Sequence, residues 1–152
     1  MTQLIRPVAI CVIRRGDDLL VFEGHDRVKG ETFYRPLGGR IEFGELGCDT
    51  VARELREEID AEVRGVRYLG TLENRFTFEG RSCHEIVLVY EGELIDAALL
   101  ARDEWEGHED SGEPMRVRWM PAASFGRERP LYPDGLAVLL AIQPPASTRS
   151  PS

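Results

Sequence analysis

The sequence contains few cysteines, and those present form no recognisable metal site or disulfide framework. Cys11, Cys48 and Cys83 are odd in number and far apart, with no C-x-x-C pair. No histidine lies beside them at the spacing of a zinc ligand. We therefore interpret them as small core or surface residues of a protein in the reducing cytosol, and we expect a cytoplasmic location.

Long hydrophobic runs and an excess of positive charge are also absent. The apolar run at residues 8–13 is too short for a cleaved signal peptide and far too short to span a bilayer, so we expect no membrane association. The formal net charge of −8 argues against a nucleic-acid partner, because broad electrostatic attraction to phosphates needs a basic surface. A small-molecule enzyme fits this composition better.

The size of the chain indicates one domain. At 152 residues, of which 42% are hydrophobic, it is long enough to bury a sizeable core. We predict a single domain over residues 1–143. Residues 144–152 are rich in proline and serine, and we predict a disordered tail there.

Segments typical of strands precede and follow a helical segment. Predicted strands lie at residues 8–14, 19–23, 33–37, 63–72, 75–78, 82–94 and 115–120. A turn is predicted at residues 38–39 and helices at 48–59 and 135–142. Residues 96–108 are ambiguous, because they have helical propensity but are also typical of an irregular connection between two strands. Propensity alone indicates an α/β or α+β domain with a mixed sheet.

Three carboxylates are concentrated on the first predicted helix. Residues three and four positions apart are neighbours on a helix, so Glu54 shares a face with Glu57 and Glu58. Like charges at this spacing repel one another, and a divalent cation between them removes the repulsion. Hard oxygen ligands favour Mg²⁺ or Mn²⁺ over Zn²⁺.

The acidic helix is part of a longer motif. Gly39 and Glu45 precede it at set distances, and Arg53 and Leu55 flank Glu54. The arrangement resembles the Nudix box, G-x5-E-x7-R-E-U-x-E-E-x-G-U, in which U is a bulky aliphatic residue. Seven of its nine specified positions match, and a merely solvated acidic helix does not explain the two upstream residues.

The match departs from the family pattern at the helix exit. Asp60 stands where the family has a glycine that normally supplies a left-handed cap, and Ala61 stands where it has a large aliphatic residue. Aspartate can enter the left-handed conformation at some cost. Either Val63 supplies the packing that Ala61 lacks, or the helix runs one residue further. Neither departure involves a predicted metal ligand.

The resemblance implies a fold, an activity and a cofactor. The Nudix fold is a mixed β-sheet sandwiched between helices. Nudix proteins hydrolyse a nucleoside diphosphate linked to another moiety, and water attacks a pyrophosphate that is bridged by Mg²⁺, with Mn²⁺ as an alternative. Metal ions neutralise the charge of pyrophosphate and activate the water, so the protein has to hold them in the right geometry.

The resemblance also assigns roles to residues of the motif. By position, the metal ligands are Glu54, Glu57 and Glu58, and the Gly38 carbonyl is a further candidate. Arg53 can form an ion pair that fixes the rotamer of a glutamate, and Glu45 has a similar supporting place. The predicted catalytic residues within the motif are therefore Glu57, Glu58 and Arg53.

A general base is often supplied in this family from a loop before a late strand. The corresponding segment carries four glutamates, Glu104, Glu106, Glu109 and Glu113. We predict Glu113 as the base, with Glu109 second. Two alternatives stay open: all four are solvated surface charges, or the glutamates of the motif activate the water themselves.

Several residues outside the motif are candidates for binding the substrate. Arg35 could meet a phosphate, Arg27 and Lys29 lie in a preceding loop that could cover the site, and Tyr34 could stack on a base. Two further stacking candidates are Phe76 and Tyr132. The alternative for each arginine is an ordinary surface residue, and the alternative for each aromatic is an ordinary core residue. Family markers for ADP-ribose, diadenosine polyphosphates and coenzyme A are missing, so the substrate within this nucleotide-type class stays open.

A different class of function is a nucleotide-metabolite sensor on the same fold, and a diphosphate isomerase is a third. Sensors of this kind typically lose carboxylates of the motif, whereas Glu54, Glu57 and Glu58 are all present. The sequence therefore favours the hydrolase. A homodimer is among the oligomeric states that it leaves open.

Overall fold

A computed structural model of the chain describes residues 3–142, so the tail predicted at residues 144–152 lies outside the described residues. The elements are β1 (Ile5–Arg15), β2 (Asp18–Asp26), β3 (Glu31–Arg35), β4 (Leu37–Arg40), α1 (Gly47–Ile59), β5 (Val63–Phe78), β6 (Arg81–Leu94), α2 (Ala97–Ala101), β7 (Glu104–His108), β8 (Pro114–Pro121) and α3 (Leu136–Leu139). A 3-10 turn at Ala122–Ser124 follows β8. Within residues 3–142, no helix has the length and apolar character that crossing a membrane requires.

The eight strands form a mixed sheet that divides between β1 and β2. Its main path runs β5-β6-β1-β2-β8-β7, and of the eight described strands β1 and β6 are the two that pair in parallel. The pairing of β1 with β2 is confined to the hairpin end, where Arg14 faces Leu19 and Arg15 faces Asp18. Beyond this point β1 pairs with β4 and β2 pairs with β3. The two halves of the sheet therefore diverge and leave a cleft between them.

The central strand β1 is buried on both faces. Ala9, Cys11 and Ile13 point into the core beneath α1, whereas the alternate residues of the strand point into a second core that includes Leu136 of α3. Successive side chains of a strand face opposite sides, so a strand covered on both sides is apolar throughout. The predicted mixed sheet between helices is confirmed.

Helix α1 packs on the sheet through an apolar stripe. Val51, Leu55 and Ile59 are buried, and full burial of each such side chain contributes about 1.5–3 kcal/mol. The helix ends at Asp60, which adopts the left-handed conformation with φ 52° and donates its N–H to the Arg56 carbonyl. Aspartate thus supplies the cap that a glycine supplies in the family pattern.

Some predicted elements differ from the structure. The strands predicted at 63–72 and 75–78 are one strand, β5, in which bulges absorb the irregular register against β6. The ambiguous segment 96–108 contains α2 and β7, and the helix predicted at 135–142 is reduced to the four residues of α3.

The turn predicted at residues 38–39 is the strand β4. Gly38 lies against β1 so closely that a Cβ atom would overlap the Ala9 carbonyl oxygen. The glycine therefore permits a close approach of two backbones, and the composition of a turn and that of a tightly packed strand look alike in the sequence.

Candidate active site

The divided sheet opens into a cleft of about 960 Å³. Glu54 and Glu58 of α1 line its acidic end together with Glu109, Asp110 and Glu113 from the loop between β7 and β8. Strands β1 to β4 form the walls and bring Arg35 to the same cavity. The cleft thus joins the motif to a loop about fifty residues further along the chain.

Three carboxylates lie close enough to share one cation. Oxygen atoms of Glu54, Glu57 and Asp110 all lie within 4.8 Å of one another. Glu54 is buried, while Glu57 and Asp110 are exposed. The sequence predicted the first two as metal ligands and did not include Asp110. Its position beside Glu109 in the same acidic loop was the available signal.

Glu58 is a second buried acid of the cleft, beside Glu54. Its side chain is 6% exposed, and its Oε1 atom has no hydrogen-bond partner among residues 3–142. Burial and the negative charges of Glu54 and Asp110 raise the pKa of Glu58 to about 9, against a hydrogen bond from the Gly38 backbone. Burial and the charge of Asp110 similarly raise the pKa of Glu54 to about 7.

This donor set fits a divalent cation. Buried carboxylates need a compensating charge, and an unpartnered carboxylate oxygen is costly unless something binds it. Oxygen donors from several acids are the ligands that Mg²⁺ and Mn²⁺ prefer. The orphaned Glu58 oxygen and the acids around it are therefore compatible with the metal that the motif implies.

Arg53 links the acids of the motif to one another. It donates to both oxygens of Glu45 at 2.7 and 2.9 Å, and its Nη1 donates to Glu54 Oε1 at 2.9 Å and to Glu57 Oε2 at 3.2 Å. The Thr50 hydroxyl also donates to Glu45, at 2.7 Å. The hydrogen bonds from Arg53 and then Thr50 lower the pKa of Glu45 to about 2. Glu45 thus anchors Arg53, which in turn holds two predicted metal ligands.

Gly39 leaves room for the Glu54 carboxylate. A Cβ atom at this position would lie 2.5 Å from the carboxyl carbon of Glu54. Real Cβ atoms essentially never approach another heavy atom so closely, so any side chain here would displace Glu54. This contact explains why the motif needs a glycine at that distance before the helix.

The two predicted base candidates both lie at the cleft. Glu109 and Glu113 face the acidic end, and the Glu109 N–H donates to the Glu113 carbonyl at 2.9 Å across the loop. Burial and the charges of Glu113 and Asp110 raise the pKa of Glu109. Glu104 lies elsewhere, paired with Arg116 at 2.6 Å. The structure brings both candidates to the site and leaves the choice of Glu113 over Glu109 a prediction.

Of the predicted substrate-binding residues, the two arginines line the cleft and the tyrosine does not. Arg35 lines the cleft and pairs with Glu85 at 2.9 Å, and Arg27 lines its rim while paired with Glu79 at 2.8 Å. Tyr34 is 7% exposed, packs in the second core, and is not among the residues that line the cleft. Alternation along β3 explains the separation, because Phe33 and Arg35 face the cleft and Tyr34 faces the opposite side.

Similarity to known proteins agrees with this geometry. A family model described as the NUDIX domain matches residues 4–140. The chain belongs to the Nudix family.

Two curated relatives of this Nudix chain are both named NAD-capped RNA hydrolase NudC. That of Pseudomonas fluorescens is 40% identical over 67 residues, which cover 44% of this chain and 24% of the relative. That of Mycobacterium tuberculosis is 35% identical over 107 residues, which cover 66% of this chain and 34% of the relative. The Nudix chain therefore spans only about a quarter to a third of the length of these relatives.

Solved structures share the Nudix fold of this chain. A MutT NUDIX hydrolase from Burkholderia pseudomallei superposes with a TM-score of 0.63 at 15% identity, over 92% of this chain and 98% of the other. The ORF135 protein of E. coli gives a TM-score of 0.56 at 20% identity, over 91% and 89%. At such identities the likeness concerns the fold.

Proposed function

We propose that this Nudix protein is a Mg²⁺-dependent hydrolase that cleaves the pyrophosphate bond of a nucleoside diphosphate linked to another moiety. The observation that carries the proposal is the convergence of Glu54, Glu58 and Asp110 on one cleft, with a buried Glu58 oxygen that lacks a partner among the described residues. A purely structural acidic surface does not bury its carboxylates in this way.

The acids at the cleft have distinct roles in this proposal. Glu54, Glu57, Glu58 and Asp110 hold the cation, and the Gly38 carbonyl is a further candidate ligand. The cation supplies neutralisation of the pyrophosphate charge and activation of the attacking water. Glu113, or Glu109 in its place, accepts a proton from that water.

Arg53 acts on the ligands rather than on the substrate. Its bonds to Glu45 fix the guanidinium, and its bonds to Glu54 and Glu57 hold both carboxylates in one orientation. Preorganised ligands spare the site the cost of ordering them when the cation binds. Arg53 is therefore a positioning residue.

Two arginines that line the cleft receive the substrate phosphates. Arg35 is held by Glu85, and an incoming phosphate can take its free guanidinium donors while that pair persists. Arg27 stands at the rim on the loop between β2 and β3. An acidic protein can thus bind an anion, because the cation and these arginines act locally.

The substrate class extends to molecules in which pyrophosphate joins two nucleotides. The relatives are named for NAD-capped RNA, a substrate of this kind. The overall negative charge of this chain favours the small molecule over the capped RNA. NAD⁺ and NAD-capped RNA therefore belong in the same test as nucleotide sugars and nucleoside triphosphates.

Hydrolysis of such a panel with and without Mg²⁺ tests the proposal. We expect Mg²⁺-dependent release of nucleoside monophosphate from at least one member, and loss of that release in Glu58→Gln because a metal ligand is removed. Glu106→Gln, an exposed change on β7 outside the cleft lining, is the matched control. Metal-dependent binding without turnover of any member would instead support the sensor.

A further inference from the structure

The acidic end of the cleft is assembled from two separate parts of the chain. Helix α1 supplies Glu54 and Glu57, whereas Asp110 comes from the turn between β7 and β8. Oxygen atoms of the three acids lie within 4.8 Å of one another, so a displacement of the turn by about 1 Å would already loosen the set. The distance between the turn and the helix therefore decides whether the three acids form one group.

The turn that carries Asp110 is closed by its own hydrogen bonds. The Glu109 N–H donates to the Glu113 carbonyl at 2.9 Å, and the Gly112 N–H donates to the Glu109 carbonyl at 2.8 Å. The strands β7 and β8 stay paired up to the base of this turn. Because these bonds fix the turn to its two strands, the position of β7 determines the position of Asp110.

Gly107 of β7 lies against the last turn of α1. A Cβ atom built on it would lie 2.6 Å from the carbonyl oxygen of Glu58, 3.1 Å from the Ile59 side chain and 3.3 Å from the Val117 side chain. Real Cβ atoms essentially never show the first distance, and the atom concerned belongs to the backbone, which cannot rotate away as a side chain can. Glycine is therefore the residue that lets β7 lie this close to the helix.

A larger residue at this position would strain the hairpin more than the helix. Ordinary van der Waals contact begins at 3.4 Å, so β7 and α1 would have to separate by several tenths of an ångström. The helix is anchored in the core by Val51 and Leu55, whereas residues 108–114 are exposed. The end of the hairpin is thus the part that is free to tilt, and it carries Asp110 with it.

We propose that Gly107 is a positioning residue, which lets β7 lie against α1 and thereby holds Asp110 beside the cation that Glu54 and Glu57 bind. The inference rests on the proposed function, because it takes these acids as ligands of a cation. It extends the candidate site to a residue that has no side chain and lies outside the motif.

Calorimetric titration of the full chain with Mg²⁺ tests this inference without turnover. We expect Gly107→Ala to lower the Mg²⁺ affinity roughly 10-fold, within the range for groups that orient metal ligands. Gly92→Ala is the matched control, because its Cβ would lie 2.6 Å from the Val63 side chain and neither residue lines the cleft. It should lower Tm and leave the Mg²⁺ affinity unchanged. Wild-type Mg²⁺ affinity in Gly107→Ala would overturn the inference, as would an equal loss in both variants.

A double-variant cycle shows whether Gly107 acts through Asp110. Asp110→Asn preserves the size of the side chain and removes its charge, so we expect it to lower the Mg²⁺ affinity by itself. In the Asp110→Asn background, Gly107→Ala should cause little further loss, because both changes remove the same interaction. Losses that multiply in the double variant contradict the assignment.

Two further outcomes count against the inference. If Gly107→Ala does not fold, as judged by circular dichroism, while Gly92→Ala does, the glycine serves the core and not the position of an exposed hairpin. Asp110→Asn leaves the contact between β7 and α1 untouched, so wild-type Mg²⁺ affinity in this variant overturns the inference whatever the fate of Gly107→Ala.

The two proposals can fail separately. If the panel shows Mg²⁺-dependent hydrolysis while Gly107→Ala binds Mg²⁺ like the wild-type protein, the role of Gly107 is wrong and the hydrolase stands. If Gly107→Ala loses Mg²⁺ affinity through Asp110 while no member of the panel is hydrolysed, the positioning role stands and the proposed activity is wrong.

Discussion

At the scale of single residues, one arginine organises the candidate site. Arg53 contacts Glu45, Glu54 and Glu57, and it also donates to the Arg40 carbonyl at 3.1 Å. Few side chains can do this, because the planar guanidinium presents five donors in a fixed geometry. A lysine at this position would satisfy fewer of these acceptors.

Replacement of Arg53 by alanine is expected to weaken metal binding and catalysis together. The predicted loss is roughly 10 to 100-fold in kcat and in the apparent Mg²⁺ affinity, the range for partners of metal ligands. Mg²⁺ titrations of the rate measure both. Arg56→Ala is the control, because Arg56 lies on the same helix and pairs with the exposed Glu62. Unchanged kcat and Mg²⁺ affinity in Arg53→Ala would remove Arg53 from the site.

Gly39→Ala is expected to displace the Glu54 carboxylate. The new methyl group would stand 2.5 Å from the Glu54 carboxyl carbon, so we expect a loss of Mg²⁺ affinity of about 10-fold or more. Gly70→Ala is the matched control, since its Cβ would meet only the Leu139 side chain, at 3.1 Å. Calorimetric Mg²⁺ binding is the measurement, and equal affinity in the two variants contradicts this role of Gly39.

The base candidates are separated by a pair of variants. If Glu113 accepts the proton, Glu113→Gln lowers kcat by about 10² to 10⁴-fold and flattens the acidic limb of the pH-rate profile, while Mg²⁺ binding stays nearly intact. Glu109→Gln is then much less affected. The reverse result transfers the role to Glu109, and no effect at either position leaves activation of the water to the acids of the motif and the cation.

At the scale of elements, the end of α1 shows how a departure from the motif is accommodated. Asp60 holds the left-handed cap, and its side chain is exposed. Ala61 is buried and donates its N–H to the Leu55 carbonyl at 3.2 Å. Val63 packs against the same core, which is one of the two alternatives that the sequence left open. The helix exit thus keeps a left-handed cap with aspartate in place of glycine and with alanine in place of a larger aliphatic residue.

Asp60→Gly is expected to stabilise the protein. Glycine adopts the left-handed conformation without the steric cost of a Cβ atom, and the change removes a negative charge from the negative end of the helix dipole. We expect a gain of about 0.5–1 kcal/mol in the free energy of unfolding, measured by urea denaturation. Asp60→Ala removes the charge but keeps the Cβ atom, so an equal gain in both variants would assign the effect to charge alone.

At the scale of the whole molecule, the buried acids couple stability to pH and to the cation. The pKa of Glu58 is raised to about 9 and that of Glu54 to about 7, above their values in an unfolded chain. At pH values between the unfolded and the folded pKa, the folded protein keeps a proton on each of these acids that the unfolded chain has released. The contribution of these acids to stability is therefore complete at low pH and is lost as pH rises through these values.

The metal-free protein is accordingly expected to lose thermal stability between about pH 6 and pH 9. Mg²⁺ binds the ionised acids, so it should raise Tm more at pH 9 than at pH 6. At a Mg²⁺ concentration a hundredfold above Kd, the free energy of unfolding should increase by roughly 2–3 kcal/mol. Differential scanning calorimetry at both pH values, with and without Mg²⁺, measures this. The double variant Glu54→Gln with Glu58→Gln should lose most of the dependence on pH. A gain in Tm that is the same at both pH values contradicts the coupling.

The sequence by itself determined the features that depend on the spacing of neighbouring residues. Glu54, Glu57 and Glu58 share a face because a helix repeats every 3.6 residues, and the apolar stripe at Val51 and Leu55 defines the opposite side. The family, the mixed sheet and the acidic helix followed from such short-range patterns.

Only the tertiary structure decided which distant residues meet. Asp110 joins Glu54 because the loop after β7 folds over α1, and no spacing in the chain encodes that distance. Tyr34 lies in the core while Phe33 faces the cleft, since the direction of alternate side chains depends on which face of β3 the neighbouring strands cover.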